Sequence, residues 1–147
     1  IATARKISSE NPLFSRGFKA PINGTITGVY GSQRVFNGKP KRPHFGLDYA
    51  GKTGDPVNSP AAGTVLLYVA DMFYSGGTMI IDHGHGVTST FLHLSQSYVK
   101  VGDKVAQGQK VAAVGSSGRA TGPHLDWRIN WFNTRIDPAL VLKIKPL

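Results

Sequence analysis

Two short stretches of the chain each bring a histidine and an aspartate together. "RPHFGLD" holds His44 and Asp48, four positions apart, and "GPHLDW" holds His124 and Asp126, two positions apart. Alternate residues of a β-strand point to one face, so His124 and Asp126 are expected side by side, with the apolar residues of that stretch on the other face. Imidazole and carboxylate ligands together suit zinc and neighbouring divalent metals. The polar face of "GPHLDW" is therefore either exposed to solvent or a binding site, and a metal site is the option that these residue types supply best.

The spacing of His44 and Asp48 leaves two interpretations open. On a straight strand their Cα atoms would lie roughly 13 Å apart, which is too far for both side chains to share one ion. Gly46 stands between them and permits a bend or bulge that would bring them together. The alternative is a structural histidine followed by a turn aspartate.

The remaining histidines, His83, His85 and His93, lie in strand-like or glycine-rich surroundings. His93 interrupts the apolar segment "STFLHLS", where a two-residue period places it on the same face as Phe91, with the flanking leucines opposite. It is either a catalytic residue or a hydrogen-bonded residue of the core. His83 and His85 belong to "DHGHG" and are expected to be turn residues at the surface, outside any metal site.

The residue types that are rare or missing narrow the chemistry. The chain has no cysteine, which excludes disulfides, thiolate catalysis and cysteine-type zinc sites. Its single glutamate, Glu10, lies near the start, so a zinc-binding H-E-x-x-H helix is excluded, and no G-x-S-x-G motif is present. Acid–base catalysis would therefore depend on histidine or aspartate.

The charge balance points to an anionic partner. The 17 lysines and arginines against 8 acidic residues give a net charge of +9, which suits a nucleic acid, an anionic lipid or an acidic cell-wall polymer. A nucleic-acid surface would interleave aromatic residues with the cations. The aromatic residues near the basic segment, which spans residues 34–52, fit strand packing as well, so we expect no nucleic-acid partner. No apolar run is long enough for a membrane-spanning helix. Five cations surround His44, namely Arg34, Lys39, Lys41, Arg42 and Lys52.

The elements that must position these residues are predicted to be strands. "GTVLLYVA", "GTMIIDHG" and "GVTSTFLHL" each open with glycine and are rich in β-branched residues, and further turns are predicted at Gly102-Asp103 and Gly108-Gln109. This pattern favours an all-β fold, an antiparallel sheet, sandwich or barrel with few or no helices. Residues 1–19 are expected to be a linker or the tail of a missing upstream region, and residues 20–147 to form one domain.

Taken in order, the motifs resemble those of a known family. "PHFGLD", "SPAAGTV", "IDHGHG", "FLHLS" and "VKVGDKVAQGQKVAAVGSSGRATGPHLDW" are similar to the lysostaphin/LytM-type zinc peptidoglycan endopeptidases over about residues 20–142. The resemblance implies an antiparallel β-sheet with a groove, of the duplicated-hybrid-motif type, and a bound zinc ion.

The resemblance also implies roles for individual residues. His44 and Asp48 match metal ligands, and His93 and His124 match the catalytic histidines. The family usually reads H-L-H where this chain reads H-L-D, which makes Asp126 the third ligand. A carboxylate there adds negative charge around the metal, makes bound water less acidic, and shifts the metal preference from zinc toward harder ions such as manganese.

The function implied is that of a metal-dependent endopeptidase, a hydrolase that cleaves peptide cross-links of bacterial peptidoglycan in the periplasm or cell envelope. The alternative is a catalytically impaired module that binds peptidoglycan or activates another cell-wall hydrolase, such as an amidase. Inactive members of the family typically show losses among the ligands, and Asp126 is such a departure.

Overall fold

The computed structural model describes residues 17–28, 31, 35–36, 39–40, 45–72, 76–116 and 123–143. In these ranges the chain is antiparallel β-structure with one short helix, α1, so the predicted all-β class is confirmed. The strands are β1 (Ile26–Gly28), β2 (Val35–Phe36), β3 (Lys39–Pro40), β4 (Leu47–Ala50), β5 (Pro56–Asn58), β6 (Gly63–Met72), β7 (Gly76–Asp82), β8 (Val87–Ser97), β9 (Lys104–Val105), β10 (Lys110–Val114), β11 (His124–Trp131) and β12 (Thr134–Ile136), and α1 is Pro138–Val141.

Ten of the strands form one sheet. Its main path runs β1-β4-β11-β8-β7-β6-β9, while β10 joins β8 to β5, and β2 pairs with β3 separately. The first half of β11 pairs with β4, and its second half pairs with β12 on the same edge. The other edge of β11 pairs with β8 from Asp126 to Trp131, and His124 forms a bridge with Gly115. Strand β11 therefore has partners on both of its edges.

The core lies on one face of this sheet. Leu125, Trp127 and Ile129 alternate along β11, are at most 1% exposed, and pack in the core cluster with Phe91 and Leu94 of β8. The apolar residues of "GPHLDW" thus face the core as predicted. The polar residues of β11 lie on the opposite face.

Three tight turns share one construction. They are Lys52–Asp55, Lys100–Asp103 and Ala106–Gln109. In each turn the N–H of the fourth residue donates to the carbonyl of the first, and the N–H of the first residue donates to the side chain of the fourth. The third residue is always a glycine with φ between 82° and 97°, which side-chain-bearing residues rarely adopt. The turns predicted at Gly102-Asp103 and Gly108-Gln109 are confirmed, and the third is at Gly54.

A bulge interrupts β8 at His93. Phe91 pairs with Met79 and Leu94 with Gly77, so two residues of β8 face one residue of β7. His93 has a φ of 61°, and beyond it β8 exchanges its partner β11 for β10. Because of the extra residue, each side chain of β8 beyond His93 points to the face opposite to the one that simple alternation predicts.

The bulge makes the two-residue period wrong at this position. Phe91 and Leu94, three positions apart, both belong to the core cluster. His93 therefore does not share a face with Phe91, contrary to the prediction from alternation.

The packed domain begins before residue 20. Phe18 is 8% exposed in the core cluster, the Lys19 N–H donates to the Pro60 carbonyl, and the Gly17 carbonyl accepts from the Gln107 amide. Residues 17–19 thus belong to the domain rather than to a linker, and residues 1–16 lie outside the described ranges. No helix in the described part of the chain is long and apolar enough to cross a membrane.

Candidate active site

Two aspartates oppose each other on adjacent strands. Asp48 of β4 is the register partner of Asp126 of β11, and they are 8% and 3% exposed. Directly opposed residues of an antiparallel pair point to the same face with Cβ atoms about 4.5–5.5 Å apart. The two carboxylates therefore lie together on the face opposite the core, where a cation would offset their repulsion.

Two histidines lie beside these carboxylates. His124 precedes Asp126 by two positions on the same face of β11, and its imidazole centroid is 5.1 Å from that of His93, with the rings inclined by 48°. The bulge in β8 permits this contact because it removes His93 from the core-facing alternation. Gly115 also permits this close approach. It forms a bridge with His124, and a Cβ at Gly115 would lie only 2.8 Å from the His93 carbonyl oxygen.

The Asp126 carboxylate also binds a residue that the sequence analysis missed. Arg128 donates from Nε to Oδ1 at 3.2 Å and from Nη2 to Oδ2 at 3.0 Å. The Arg128 side chain is 34% exposed against 4% for Asp126, so the guanidinium stands between the carboxylate and solvent. An opposite charge two positions away on one strand was the signal in the sequence that could have revealed this pair.

Gly46 leaves the space in which this ion pair lies. A Cβ at Gly46 would collide with Asp126 Oδ1 and would lie 3.0 Å from Arg128 Cγ and 3.1 Å from the Trp127 carbonyl oxygen. The glycine predicted to bend the chain between His44 and Asp48 is therefore required for close approach to β11.

The predicted ligand His44 lies outside the described residues. Its neighbour Phe45 is described, and the Arg135 guanidinium carbon lies 4.1 Å from the centroid of the Phe45 ring. Within the described ranges, no group of three histidine, cysteine, aspartate or glutamate side chains is arranged to hold a metal ion. The structure pairs Asp48 with Asp126 and His93 with His124, and the role of each as ligand or catalyst stays a prediction.

His83 is not a surface turn residue, and that prediction is wrong. It is fully buried, with Nδ1 2.9 Å from the Ala62 carbonyl oxygen and Nε2 2.7 Å from Ser89 Oγ, which also accepts from Trp127 Nε1 at 3.1 Å. Burial lowers the pKa of His83 to about 4, so the ring is neutral. Its contacts are structural. His85 is exposed in the turn, as expected.

Comparison with known proteins identifies the family. The profile of Peptidase family M23 matches residues 42–138, a span that includes all five predicted site residues. The chain belongs to peptidase family M23. The expected lysostaphin/LytM-type resemblance is thereby confirmed, and membership places the chain among hydrolases.

The relatives of this M23 chain include peptidases of the bacterial cell wall. It is 39% identical over 87 residues to the peptidoglycan DD-endopeptidase ShyA of Vibrio cholerae, covering 59% of this chain and 20% of that protein. It is similar to a crystal structure of a putative M23 peptidase from Pseudomonas aeruginosa, with a TM-score of 0.81, 35% identity, and coverage of 96% of this chain and 57% of that one. A zinc-containing peptidase from Vibrio cholerae has a TM-score of 0.78 and 31% identity, with coverage of 90% and 41%. The chain spans about a fifth of the length of the curated relatives it matches.

The donor chemistry of the site fits the divalent metal that the family implies. Asp48 and Asp126 supply carboxylate oxygens from opposed positions on one face, and the imidazole of the predicted ligand set is that of His44, which lies outside the described residues. Oxygen and nitrogen donors of this kind suit zinc and harder divalent ions. Both Asp126 oxygens already accept from Arg128, so a metal at Asp126 would share that carboxylate with the guanidinium.

Proposed function

We propose that the chain is the catalytic domain of a metal-dependent endopeptidase that hydrolyses peptide cross-links of bacterial peptidoglycan. The observation that carries this proposal is the meeting of Asp48, Asp126, His93 and His124 on one face of the sheet in a member of family M23. The DD-endopeptidase relative supports the same substrate class. Since peptidoglycan lies in the cell envelope, we place the protein in the periplasm or envelope.

In this proposal, His44, Asp48 and Asp126 hold the metal, with zinc as the first candidate and manganese as the alternative favoured by the carboxylate at 126. When bound, the ion supplies Lewis acidity that polarises the scissile carbonyl and lowers the pKa of a coordinated water. The zinc-containing relative supports the choice of zinc.

The two histidines perform the proton transfers in this scheme. His124 takes a proton from the attacking water as general base, and His93 orients that water or donates to the developing oxyanion. Their ring centroids are 5.1 Å apart, so the two imidazoles are close enough for one water molecule to contact both. The fixed bulge supports this arrangement because it holds His93 without a side-chain rearrangement.

Digestion of purified peptidoglycan tests the proposal. In the presence of added zinc or manganese, we expect wild-type protein to release peptide-linked fragments, and His124→Ala or His93→Ala to slow release by about 100-fold or more. His85→Ala is the matched control, because His85 is exposed in a turn and should leave the rate unchanged. Absence of digestion by wild type with either metal, or equal rates in all variants, would overturn the proposal.

One observation favours a second candidate function, that of a binding module without catalysis. The Arg128 guanidinium offsets the Asp126 charge through two hydrogen bonds, so this carboxylate can be buried without a metal. Such a module would bind peptidoglycan or a cell-wall amidase. Cosedimentation with peptidoglycan, or stimulation of an amidase, without any digestion by the chain itself would favour this candidate.

A further inference from the structure

We infer that Arg128 is a positioning residue that competes with a divalent cation for the Asp126 carboxylate and so sets the metal affinity of the site. This inference rests on the proposed function, because it assumes that a metal binds beside Asp48 and Asp126. It concerns a residue to which neither the motifs nor the family resemblance gives a role.

The geometry of the ion pair carries the first step. Arg128 engages both carboxylate oxygens, at 3.2 and 3.0 Å, in a bidentate arrangement that combines charge with fixed orientation. The carboxylate has little contact with solvent, since its side chain is 4% exposed. The guanidinium is therefore the partner that Asp126 holds before any metal arrives.

The backbone at Gly46 restricts the movement of the Asp126 carboxylate. Asp126 Oδ1 and Arg128 Cγ both approach Gly46 so closely that a Cβ there would meet them. The carboxylate is thus enclosed by β4 on one side and the guanidinium on the other. It cannot turn toward a metal without weakening at least one of its two hydrogen bonds to Arg128.

The electrostatic consequence follows. A cation that binds Asp126 must either share the carboxylate with the Arg128 guanidinium a few ångströms away or displace that guanidinium. Either event lowers the affinity of the site for the cation. Removal of the guanidinium should free the carboxylate and remove the repulsion together. We therefore expect tighter metal binding when Arg128 loses its charge.

The test is titration of metal-free protein with zinc chloride against a chromophoric chelator, for wild type and Arg128→Gln. We expect Arg128→Gln to bind zinc about tenfold more tightly or better. The matched control is Arg135→Gln, which removes the same charge from β12, where Arg135 is the register partner of Asn130 and contacts Phe45. Its affinity should stay within about threefold of wild type.

A double variant separates an effect through Asp126 from a general effect of charge. If Arg128 acts through that carboxylate, Asp126→Ala with Arg128→Gln should bind zinc no more tightly than Asp126→Ala alone. If Arg128→Gln does not fold, Arg128→Lys replaces it, because lysine keeps the charge but loses the bidentate fork and should give an intermediate affinity.

The outcomes distinguish this inference from the proposed function. Equal affinities of Arg128→Gln and Arg135→Gln, or tightening that persists without Asp126, would overturn the inference even if wild type digests peptidoglycan. Tighter zinc binding by Arg128→Gln in a chain that digests nothing would uphold the inference and count against the enzyme. Failure of every variant to bind zinc, or manganese titrated in the same way, would overturn both.

Discussion

The Asp126 carboxylate depends on a residue with no side chain. The backbone at Gly46, just before β4, lies very close to β11. A Cβ added at Gly46 would contact Asp126 Oδ1, Arg128 Cγ and the Trp127 carbonyl oxygen. Since the contacted atoms include backbone and a buried carboxylate, they have little freedom to move away. The site is therefore sensitive to a single added methyl group.

We predict that Gly46→Ala destabilises the fold by about 1–3 kcal/mol, the usual cost of overpacking a well-packed site. The free energy of unfolding from urea titration measures it. Gly51→Ala is the matched control, because a Cβ there would meet Val114 and Ile22 at the ordinary distances of 3.4 and 3.5 Å. Equal stability of the two variants would contradict the packing argument.

His83 makes the stability of the domain depend on pH. Its folded-state pKa is about 4, lowered mainly by burial, against 6.5 for an ordinary histidine. Between these values the unfolded chain binds a proton that the folded chain does not, so stability is fully present above pH 6.5 and is lost as pH falls toward 4. Below about pH 4 this residue adds no further loss.

We expect this histidine to contribute a loss of about 3 kcal/mol between pH 6.5 and pH 4, at about 1.4 kcal/mol for each pH unit of pKa shift. Urea unfolding at several pH values measures the slope. His83→Asn cannot titrate in this range and should show a shallower slope than wild type, although carboxylates contribute equally to both. Identical slopes would contradict the assignment.

At the scale of the elements, one hydroxyl connects three segments of the sheet. His83, just after β7, donates from Nδ1 to the Ala62 carbonyl, so its Nε2 accepts from the Ser89 hydroxyl of β8, and that oxygen accepts from Trp127 of β11. Both ring nitrogens of His83, the Ser89 hydroxyl and the Trp127 indole N–H therefore have partners, as a buried network requires. The network holds β8 and β11 together on the core face, beneath the site.

We predict that Ser89→Ala costs about 1–3 kcal/mol of stability for each buried group that it leaves without a partner, here the His83 ring and the Trp127 indole. Thr90→Val is the matched control from the same strand, because the buried Thr90 hydroxyl has no hydrogen-bond partner. That variant should be neutral or more stable. Thermal unfolding by circular dichroism compares the two, and a larger loss in Thr90→Val would refute the network's role.

The sequence predicted the regular parts of these elements and failed where the chain departs from regularity. Alternation placed Leu125 and Trp127 in the core correctly because β11 is uninterrupted. It failed at His93 because a bulge depends on the partners of β8, which change there from β11 to β10, and no local pattern encodes that exchange. His83 was misplaced for a similar reason, since its ring contacts Ser89 of the next strand and Ala62, 21 positions earlier, and the glycine-rich turn itself does not indicate either contact.

The site itself was predictable in part. The residue types and the family resemblance predicted that five residues would converge, namely His44, Asp48, His93, His124 and Asp126. The structure opposes Asp48 and Asp126 on adjacent strands and brings the rings of His93 and His124 to 5.1 Å, while His44 lies outside the described residues. The Asp126–Arg128 pair was not predicted, because the motifs point to metal ligands and give Arg128 no role. A count of opposite charges on the same strand face would have found it.

At the scale of the whole molecule, positive charge is unevenly distributed along the chain. The net charge is +9, yet residues 53–99 contain no lysine or arginine. The cations of the basic segment around His44 instead flank β4, the strand that carries Asp48; they are Arg34, Lys39, Lys41, Arg42 and Lys52. Charge of this kind attracts anionic partners over roughly a Debye length, and peptidoglycan stem peptides carry carboxylates that suit it.

We therefore predict that binding to purified peptidoglycan weakens about tenfold or more between 0.1 and 1 M sodium chloride, because the Debye length falls from about 10 Å to about 3 Å. Cosedimentation measures the bound fraction, and circular dichroism at both salt concentrations checks that the fold is unchanged.

Neutralisation of three cations of the basic segment should weaken binding at low salt more than the same change elsewhere, because these cations flank the predicted ligand His44. The two sets of lysine-to-glutamine changes are Lys39, Lys41 and Lys52 for the basic segment, and Lys100, Lys104 and Lys143 for the control. Equal losses in the two sets would mean that only net charge matters. Binding that is insensitive to salt would mean that short-range contacts, rather than the field of the basic segment, hold the polymer.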